Sequence, residues 1–174
     1  DQITDEIIGV VDLINQVYSK FGFEYFVELS TRPENSMGSD EDWEAATNGL
    51  IKALEKLEMP YIVNEGDGAF YGPKIDFHLR DSLGRTWQCG TIQLDFQMPL
   101  NFGLEYIAED GSRQRPIMIH RVCFGSIERF IGILTEHFAG KFPTWLAPTQ
   151  VKVLPVSDKS MDYAKEVYEK LREK

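Results

Sequence analysis

The sequence predicts an α+β fold in which an antiparallel sheet is flanked by helices. Residues 115–140 begin with the β-forming apolar residues of a strand. After Ser126 the apolar residues recur three and four positions apart, which is typical of an amphipathic helix. Residues 74–96 alternate apolar and polar side chains on both sides of a short turn, which predicts an antiparallel hairpin. Residues 4–21 and 39–57 have helical spacing, so one chain combines helices with hairpin-connected strands.

The two N-terminal helices have clear end signals. The first is expected from Thr4, with acidic residues in its first turn, and should end at Gly22. The second should begin after Ser39, because a serine hydroxyl accepts from the free N–H groups of a first turn, and should end before Pro60. The apolar positions expected to face the core are Ile7, Val11, Ile14, Tyr18 and Phe21 in the first helix and Trp43, Ala46, Leu50, Leu54 and Leu57 in the second.

Short strands are expected before and after the second helix. Residues 23–29 alternate apolar side chains with glutamates, and residues 61–64 lead into the glycine-rich segment 65–74. That segment matches neither a dinucleotide-binding fingerprint nor a Walker loop. We expect it to bring backbone close to a ligand and to present Tyr71 and Lys74 at the start of the next strand.

The predicted hairpin carries several polar side chains. In its first strand, Asp76 and His78 alternate with apolar residues and should face outward, which favours a surface or supporting role for His78 over metal binding. In its second strand, Gln88 and Gln93 have opposite parity, so both can reach one pocket only if the strand is irregular. Gly90 is the natural position for a bulge. Alternatively, the two glutamines are a polar pair satisfied by neighbouring backbone groups.

Arg129 lies in the first turn of the helix that follows Ser126. A cation at the positive end of a helix dipole costs about 0.3–1 kcal/mol, so another interaction should offset it. Free N–H groups at a strand-to-helix turn bind anions, and an arginine beside them would hold a phosphate through two hydrogen bonds. A surface arginine paired with Glu128 is the alternative interpretation, and the periodicity does not separate the two.

Composition and charge limit the possible functions. The net charge of −10 argues against a general nucleic-acid binder, because such proteins need clustered lysine and arginine. No apolar run is long enough to span a membrane and no signal peptide is evident, so we expect no membrane partner. Cys89 and Cys123 lie in apolar contexts and do not form a disulfide framework, which is consistent with a reducing compartment. We therefore expect a cytoplasmic protein. The sequence starts in a helix without methionine, and we expect it to be part of a longer polypeptide.

Several segments in this order resemble one family. Residues 125–131 are similar to the third signature motif of class II aminoacyl-tRNA synthetases, whose arginine holds the γ-phosphate of a bent ATP. The segments 117–121 and 142–148 beside it, and the upstream segments 66–77 and 88–96, are similar to threonyl-tRNA synthetases in particular. The resemblance covers essentially the whole chain.

The resemblance implies how the chain is divided. Residues 1–147 would be the C-terminal part of a catalytic domain with the class II synthetase-like antiparallel sheet. Residues 148–174 would begin an α/β anticodon-binding domain, with a strand at 150–156 and a helix at 161–171. Motifs 1 and 2 of the class, which contribute to the dimer interface and the α-phosphate site, would lie upstream of residue 1. The isolated chain is therefore expected to be inactive.

The implied activity is that of a threonine-tRNA ligase, a homodimer that activates threonine with ATP and transfers it to tRNA(Thr). Catalysis is assigned to Arg129, which would act with Mg²⁺ on the outer phosphates. The residues implied to bind ATP are Gln88, Thr91, Ser126 and Arg129. The residues implied to bind or border threonine are Tyr71, Lys74 and Gln93.

The resemblance also implies a zinc ion held by one cysteine and two histidines. His120 matches the last of these ligands, and the other two would lie upstream. The spacing from His120 to Cys123 does not itself predict a zinc site, because strand residues three apart lie on opposite faces.

Two alternatives stay open at the level of the sequence. One is another class II synthetase, such as the prolyl type, and the other is a synthetase-like paralogue that binds ATP or a partner without aminoacylation. Upstream zinc ligands and a motif 2 arginine would distinguish an enzyme from a paralogue.

Overall fold

The structure, a computed structural model, describes residues 2–173 and has the expected α+β architecture. Its helices are α1 (Ile3–Phe21), α2 (Asp40–Lys56), α3 (Gln97–Asn101), α4 (Ile127–His137) and α5 (Met161–Arg172). Its strands are β1 (Tyr25–Ser30), β2 (Tyr61–Asn64), β3 (Lys74–Arg80), β4 (Thr86–Asp95), β5 (Tyr106–Ile107), β6 (Arg113–Gln114) and β7 (Met118–Val122). No helix among the described residues is both long and apolar enough to cross a bilayer.

The chain forms two compact units, the first ending at His137 and the second beginning at Phe138. The first unit contains a five-stranded sheet in the order β2-β1-β3-β4-β7. The pair β1 and β2 is parallel, and the other neighbouring pairs are antiparallel. The predicted domain boundary between residues 147 and 148 stays a prediction.

The core lies between one face of the sheet and the two N-terminal helices. Both helix ends follow the sequence signals, since Gly22 has a left-handed φ of 72° and the Ser39 hydroxyl accepts from the N–H of Asp42. The buried side chains of the helices and of this sheet face include Ile7, Val11, Ile14, Tyr18, Trp43, Leu50, Leu54, Val27, Leu29, Ile75, Phe77, Leu79, Ile92 and Leu94. This packing leaves the opposite face of the sheet free for polar residues.

Helix α4 begins as predicted but buries a narrower stripe than the spacing indicated. Ser126 accepts from the backbone N–H of Arg129, and the ring of Phe130 packs against Phe21 and Phe23. Ile127 and Ile131 were expected to face the core, but both are 54% exposed. The aromatic contacts through Phe130 cover only one side of the helix, so the two isoleucines remain outside the core.

The C-terminal unit contradicts one local prediction. Residues 150–156 are not a strand, and Leu154 and Val156 are 79% and 98% exposed. A strand needs a neighbour for its backbone hydrogen bonds, and the described residues of this unit include no other strand. The helix expected at 161–171 is present as α5.

Candidate functional site

The face of the sheet opposite the core carries most of the candidate residues. Strand register pairs Asp76 with Thr91, Lys74 with Gln93, and Gln93 with His120. Because residues directly opposite each other share a face, the register aligns these polar side chains across β3, β4 and β7. The sheet thus brings together residues that the sequence placed in three separate segments.

An irregularity in β4 brings Gln88 onto this face. Phe77 pairs with Gly90 and His78 pairs with Gln88, so Cys89 is the additional residue of a bulge. A Cβ at Gly90 would lie 2.7 Å from the hydroxyl of Tyr18, which explains why glycine stands beside the bulge. The predicted bulge near Gly90 is confirmed, and Gln88 and Gln93 can serve one site.

Asp76 is the centre of the polar network, and its expected solvent-facing position was wrong. The residue is 1% exposed. One of its carboxylate oxygens accepts from Gln88 Nε2 at 2.6 Å and from Thr91 Oγ1 at 2.7 Å, and the other accepts from Lys74 Nζ at 2.6 Å. Alternation gave the correct face, but the side chains around Asp76 exclude water from it.

Lys74 is held between two carboxylates. Its Nζ donates to Asp76 and, at 3.1 Å, to Asp67. Burial lowers the pKa of Lys74, but the two carboxylates more than compensate and the net pKa is raised. Lys74 is therefore a cation near neutral pH, with a fixed position at the start of β3.

Tyr71 and Gln93 form a second contact beside this network. The Tyr71 hydroxyl donates to Gln93 Oε1 at 2.8 Å, and Gln93 Nε2 donates to the carbonyl of Gly72 at 3.3 Å. Burial, with a smaller contribution from Asp95, raises the pKa of Tyr71, so the hydroxyl remains a neutral donor. The glycine-rich loop approaches the protein's own backbone, since a Cβ at Gly72 would lie 1.8 Å from the carbonyl oxygen of Leu94.

His120 is oriented by a buried carboxylate. Its Nε2 lies 2.9 Å from Asp95 Oδ2, while Asp95 Oδ1 accepts from the backbone N–H groups of Gln97 and Met98 at the start of α3. A carboxylate accepts hydrogen bonds, so Nε2 carries the proton and Nδ1 remains available to another partner. Among the described residues, no group of three His, Cys, Asp or Glu side chains could hold a metal ion.

The strand-to-helix turn brings Arg129 to the bulged part of β4. Gly125 has a φ of 64°, and a Cβ there would approach the carbonyl oxygen of Cys89 to 3.1 Å. Arg129 donates to the carbonyl of Gln88 at 3.3 Å, and its guanidinium lies 5.8 Å from the ring centre of Trp87. The side chain is exposed, so its remaining donors can reach a ligand.

The structure therefore groups the candidate residues into two neighbouring sets. Gln88, Thr91 and Lys74 share the Asp76 network, with Arg129 bonded to the backbone of Gln88. The second set consists of Tyr71, Gln93 and His120, in which the rings of Tyr71 and His120 lie 5.9 Å apart. The two sets meet through the paired positions of Lys74 and Gln93.

Sequence reasoning missed two acids that organise these sets, Asp76 and Asp95. Asp76 lies between the apolar residues Ile75 and Phe77, and Asp95 directly follows Leu94; an acid beside core-facing apolar positions is a signal that could have identified both. A cavity of about 770 Å³ lies elsewhere. Its lining includes Glu6 of α1, Tyr106 of β5 and Ile119 of β7, and it includes no candidate site residue.

The chain is similar to curated proteins that carry the same name. Among curated proteins, the chain is 71% identical to a threonine-tRNA ligase of Caldanaerobacter subterraneus subsp. tengcongensis over 99% of its length. It is also 71% identical, over its full length, to a threonine-tRNA ligase of Clostridioides difficile strain 630. The chain spans 27% of the length of each of these relatives.

Comparisons of structure and of family agree with these relatives. A crystal structure described as the RNA binding domain of threonyl-tRNA synthetase from Cryptosporidium parvum Iowa II has a TM-score of 0.92 and 44% identity. That match covers 99% of this chain and 44% of the other. Residues 1–138 match the model of one family, which is most of the chain. The chain therefore belongs to the family described as the tRNA synthetase class II core domain (G, H, P, S and T).

Proposed function

We propose that this chain is part of a threonine-tRNA ligase, which activates threonine with ATP to threonyl-adenylate and transfers it to tRNA(Thr). The observation that carries the proposal is the meeting of the two residue sets on one sheet face, one centred on Asp76 and one on Tyr71, Gln93 and His120. The relatives named threonine-tRNA ligase support the threonine enzyme over the prolyl type. Residues 1–147 are assigned to the catalytic domain and 148–174 to the beginning of an anticodon-binding domain.

The assigned ATP site comprises Gln88, Thr91, Ser126 and Arg129. The charge of the displaced pyrophosphate grows as threonine attacks the α-phosphate, so a fixed cation on the outer phosphates, together with Mg²⁺, lowers the barrier. The exposed guanidinium of Arg129 beside the first turn of α4 suits this role. Ser126 accepts from the N–H of Arg129 and donates to Glu128, which holds the turn in place.

The assigned threonine site comprises Tyr71, Lys74 and Gln93, next to His120. Tyr71 fixes the Gln93 amide through a 2.8 Å hydrogen bond, which prevents that amide from rotating as the ligand enters. Lys74 supplies a positive charge at the boundary between the two sets. These groups recognise polar atoms by directed hydrogen bonds, and such sites reject analogues that lack those atoms.

His120 fits the role of one zinc ligand. Metal-binding histidines usually donate their second ring N–H to a carboxylate, and His120 has this arrangement with Asp95. A zinc ion with an open coordination position would supply affinity for the hydroxyl and amine of threonine. The two further ligands are proposed to lie in the part of the parent enzyme that precedes this chain.

The cellular location, oligomeric state and tRNA partner are proposed for the parent enzyme. We place it in the cytoplasm as a homodimer that binds tRNA(Thr). With a net charge of −10, this chain offers little general attraction for RNA, so contacts to tRNA should be few and local.

The test is metal content and amino-acid-dependent pyrophosphate exchange in the complete parent enzyme. The wild type should exchange with threonine and discriminate against valine by about 10⁴-fold, since valine leaves the polar group of the site unpaired. His120→Ala should lose zinc and threonine activation together. His137→Gln is the control, because His137 contacts the carbonyl of Phe21 and no candidate site residue is involved in that contact. This variant should keep both zinc and activity.

Two results would contradict the proposal. A wild-type enzyme without threonine-dependent exchange would exclude the ligase function. A zinc-free His120→Ala variant that still activates threonine and rejects valine would exclude the metal role of His120.

A further inference from the structure

Asp76 is a buried carboxylate whose neighbours are nearly all donors. It is 1% exposed, and an isolated charge at such a position would be costly because it loses its hydration. Lys74 alone could neutralise the charge. The structure instead adds the Gln88 amide and the Thr91 hydroxyl to one carboxylate oxygen, and the Ser30 hydroxyl at 3.5 Å to the other.

Three of these four donors belong to residues that are assigned to the proposed ATP site or threonine site. Gln88 and Thr91 belong to the assigned ATP site, and Lys74 belongs to the assigned threonine site. Asp76 is the group that they share, and it lies behind them on the central strand of the sheet. Among the described residues, only Asp76 has side-chain hydrogen bonds to all three.

The chemistry of the carboxylate fixes the direction of each hydrogen bond. Asp76 can only accept, so Gln88 must direct its amide nitrogen towards Asp76, and that nitrogen also lies 3.1 Å from Thr91 Oγ1. The atom that Gln88 can offer to a ligand is therefore its amide oxygen. Thr91 likewise uses its hydroxyl proton on Asp76 and offers a lone pair. Asp76 thus determines which atoms the site presents as acceptors.

We infer that Asp76 is a positioning residue that fixes Lys74, Gln88 and Thr91 in their ligand-binding orientations and does not itself touch substrate. The inference rests on the proposed function for the identity of the ligands. An asparagine at this position would keep one acceptor and replace the other with an amide donor. That donor would face either Lys74 or the pair of Gln88 and Thr91. The side chains on that side would lose their acceptor and change orientation.

The experiment uses Asp76→Asn in the complete enzyme, with Asp67→Asn as the matched control. Asp67 also accepts from Lys74, but it is 56% exposed and has no hydrogen bond to Gln88 or Thr91. We expect Asp76→Asn to lower kcat/KM of threonine-dependent pyrophosphate exchange about a hundredfold, and Asp67→Asn to lower it by less than about threefold. Similar losses in both variants would overturn the inference.

A double-mutant cycle separates positioning from a general structural role. Thr91→Val removes one donor with little change of volume. If Asp76 acts through Thr91 and Gln88, the double variant should be no worse than Asp76→Asn alone, because the partner group is already misplaced. Losses that multiply in the double variant would overturn the inference.

Chemical labelling of Lys74 gives a readout that does not depend on activity. The carboxylate of Asp76 helps to hold the Lys74 amine protonated, so Asp76→Asn should increase its rate of acylation by acetic anhydride near pH 8 several-fold relative to Lys170. If Asp76→Asn does not fold, the variant Gln88→Leu Thr91→Val leaves the charge of Asp76 less compensated and should slow the labelling of Lys74. An unchanged rate in the tested variant would overturn the inference.

These readouts distinguish the inference from the proposed function. An absence of threonine-dependent exchange in the wild type would refute the function. The labelling of Lys74 would then still report whether Asp76 controls its neighbours.

Discussion

Arg129 is a cation held by neutral groups, and this arrangement bears on its proposed role at a phosphate. Glu128, its expected partner if it were a surface residue, instead accepts from the Ser126 hydroxyl at 2.9 Å. Arg129 has no carboxylate within ion-pair distance among residues 2–173, and it is oriented by the Gln88 carbonyl and the ring of Trp87. These neutral contacts hold the guanidinium without neutralising its charge, which favours the phosphate interpretation of the sequence over the ion-pair alternative.

Arg129→Ala in the complete enzyme is therefore expected to impair adenylate formation rather than folding. A hydrogen bond to a charged group contributes about 1.5–3 kcal/mol, which corresponds to a loss of about tenfold to a hundredfold in threonine-dependent pyrophosphate exchange. Its thermal midpoint should hardly change because the side chain is exposed. Arg172→Ala, on the exposed surface of α5, is the control and should retain normal exchange. Normal exchange in Arg129→Ala would mean that the phosphate role is wrong.

The turn between β3 and β4 is stabilised by one acid, Asp81. Its side chain accepts from the backbone N–H groups of Leu83 and Arg85, from Arg85 Nε and from Trp87 Nε1, at 2.6 to 2.9 Å. Burial by itself raises the pKa of Asp81. The hydrogen bonds from Trp87, Arg85 and the two backbone N–H groups outweigh burial and lower the pKa to about 2, from an ordinary value of 3.8.

This depressed pKa predicts a local pH dependence of the β3–β4 turn. A group whose pKa is lower in the folded state stabilises that state fully above its unfolded pKa and loses the contribution as pH falls towards its folded pKa. Protection of the Leu83 and Arg85 amides against hydrogen exchange should therefore fall between about pH 4 and pH 2. The Asp81→Asn variant should show weaker protection that no longer depends on pH in this range. Constant protection down to pH 2 in the wild type would contradict the role of Asp81.

At the scale of the whole molecule, we expect the 174-residue chain alone not to aminoacylate tRNA. It spans 27% of the length of its curated relatives, and the metal ligands that would accompany His120 are proposed to lie in another part of the parent enzyme. The measurement is charging of tRNA(Thr) with labelled threonine, with the complete parent enzyme as the positive control. Threonine-dependent charging by the isolated chain would show that the proposed missing parts are dispensable.

Elements with local signals could be predicted from the sequence. The cap at Ser39, the stop at Gly22 and the hairpin of β3 and β4 depend on neighbouring residues, and all three are confirmed. Binary patterning also assigned the polar face of β3 correctly. The prediction of a strand at 150–156 failed because strand formation depends on a hydrogen-bonding neighbour that the local pattern cannot supply.

The burial and hydrogen bonding of Asp76 and Asp95 depend on the tertiary structure. Alternation places Asp76 opposite the core, but its burial depends on Lys74, Gln88 and Thr91, and two of these come from another strand. Asp95 meets His120 because β4 pairs with β7 in one particular register. Charge, hydration and hydrogen-bond direction depend on the distances between side chains that are remote in sequence, so the organisation of the candidate site becomes visible only when the strands are aligned.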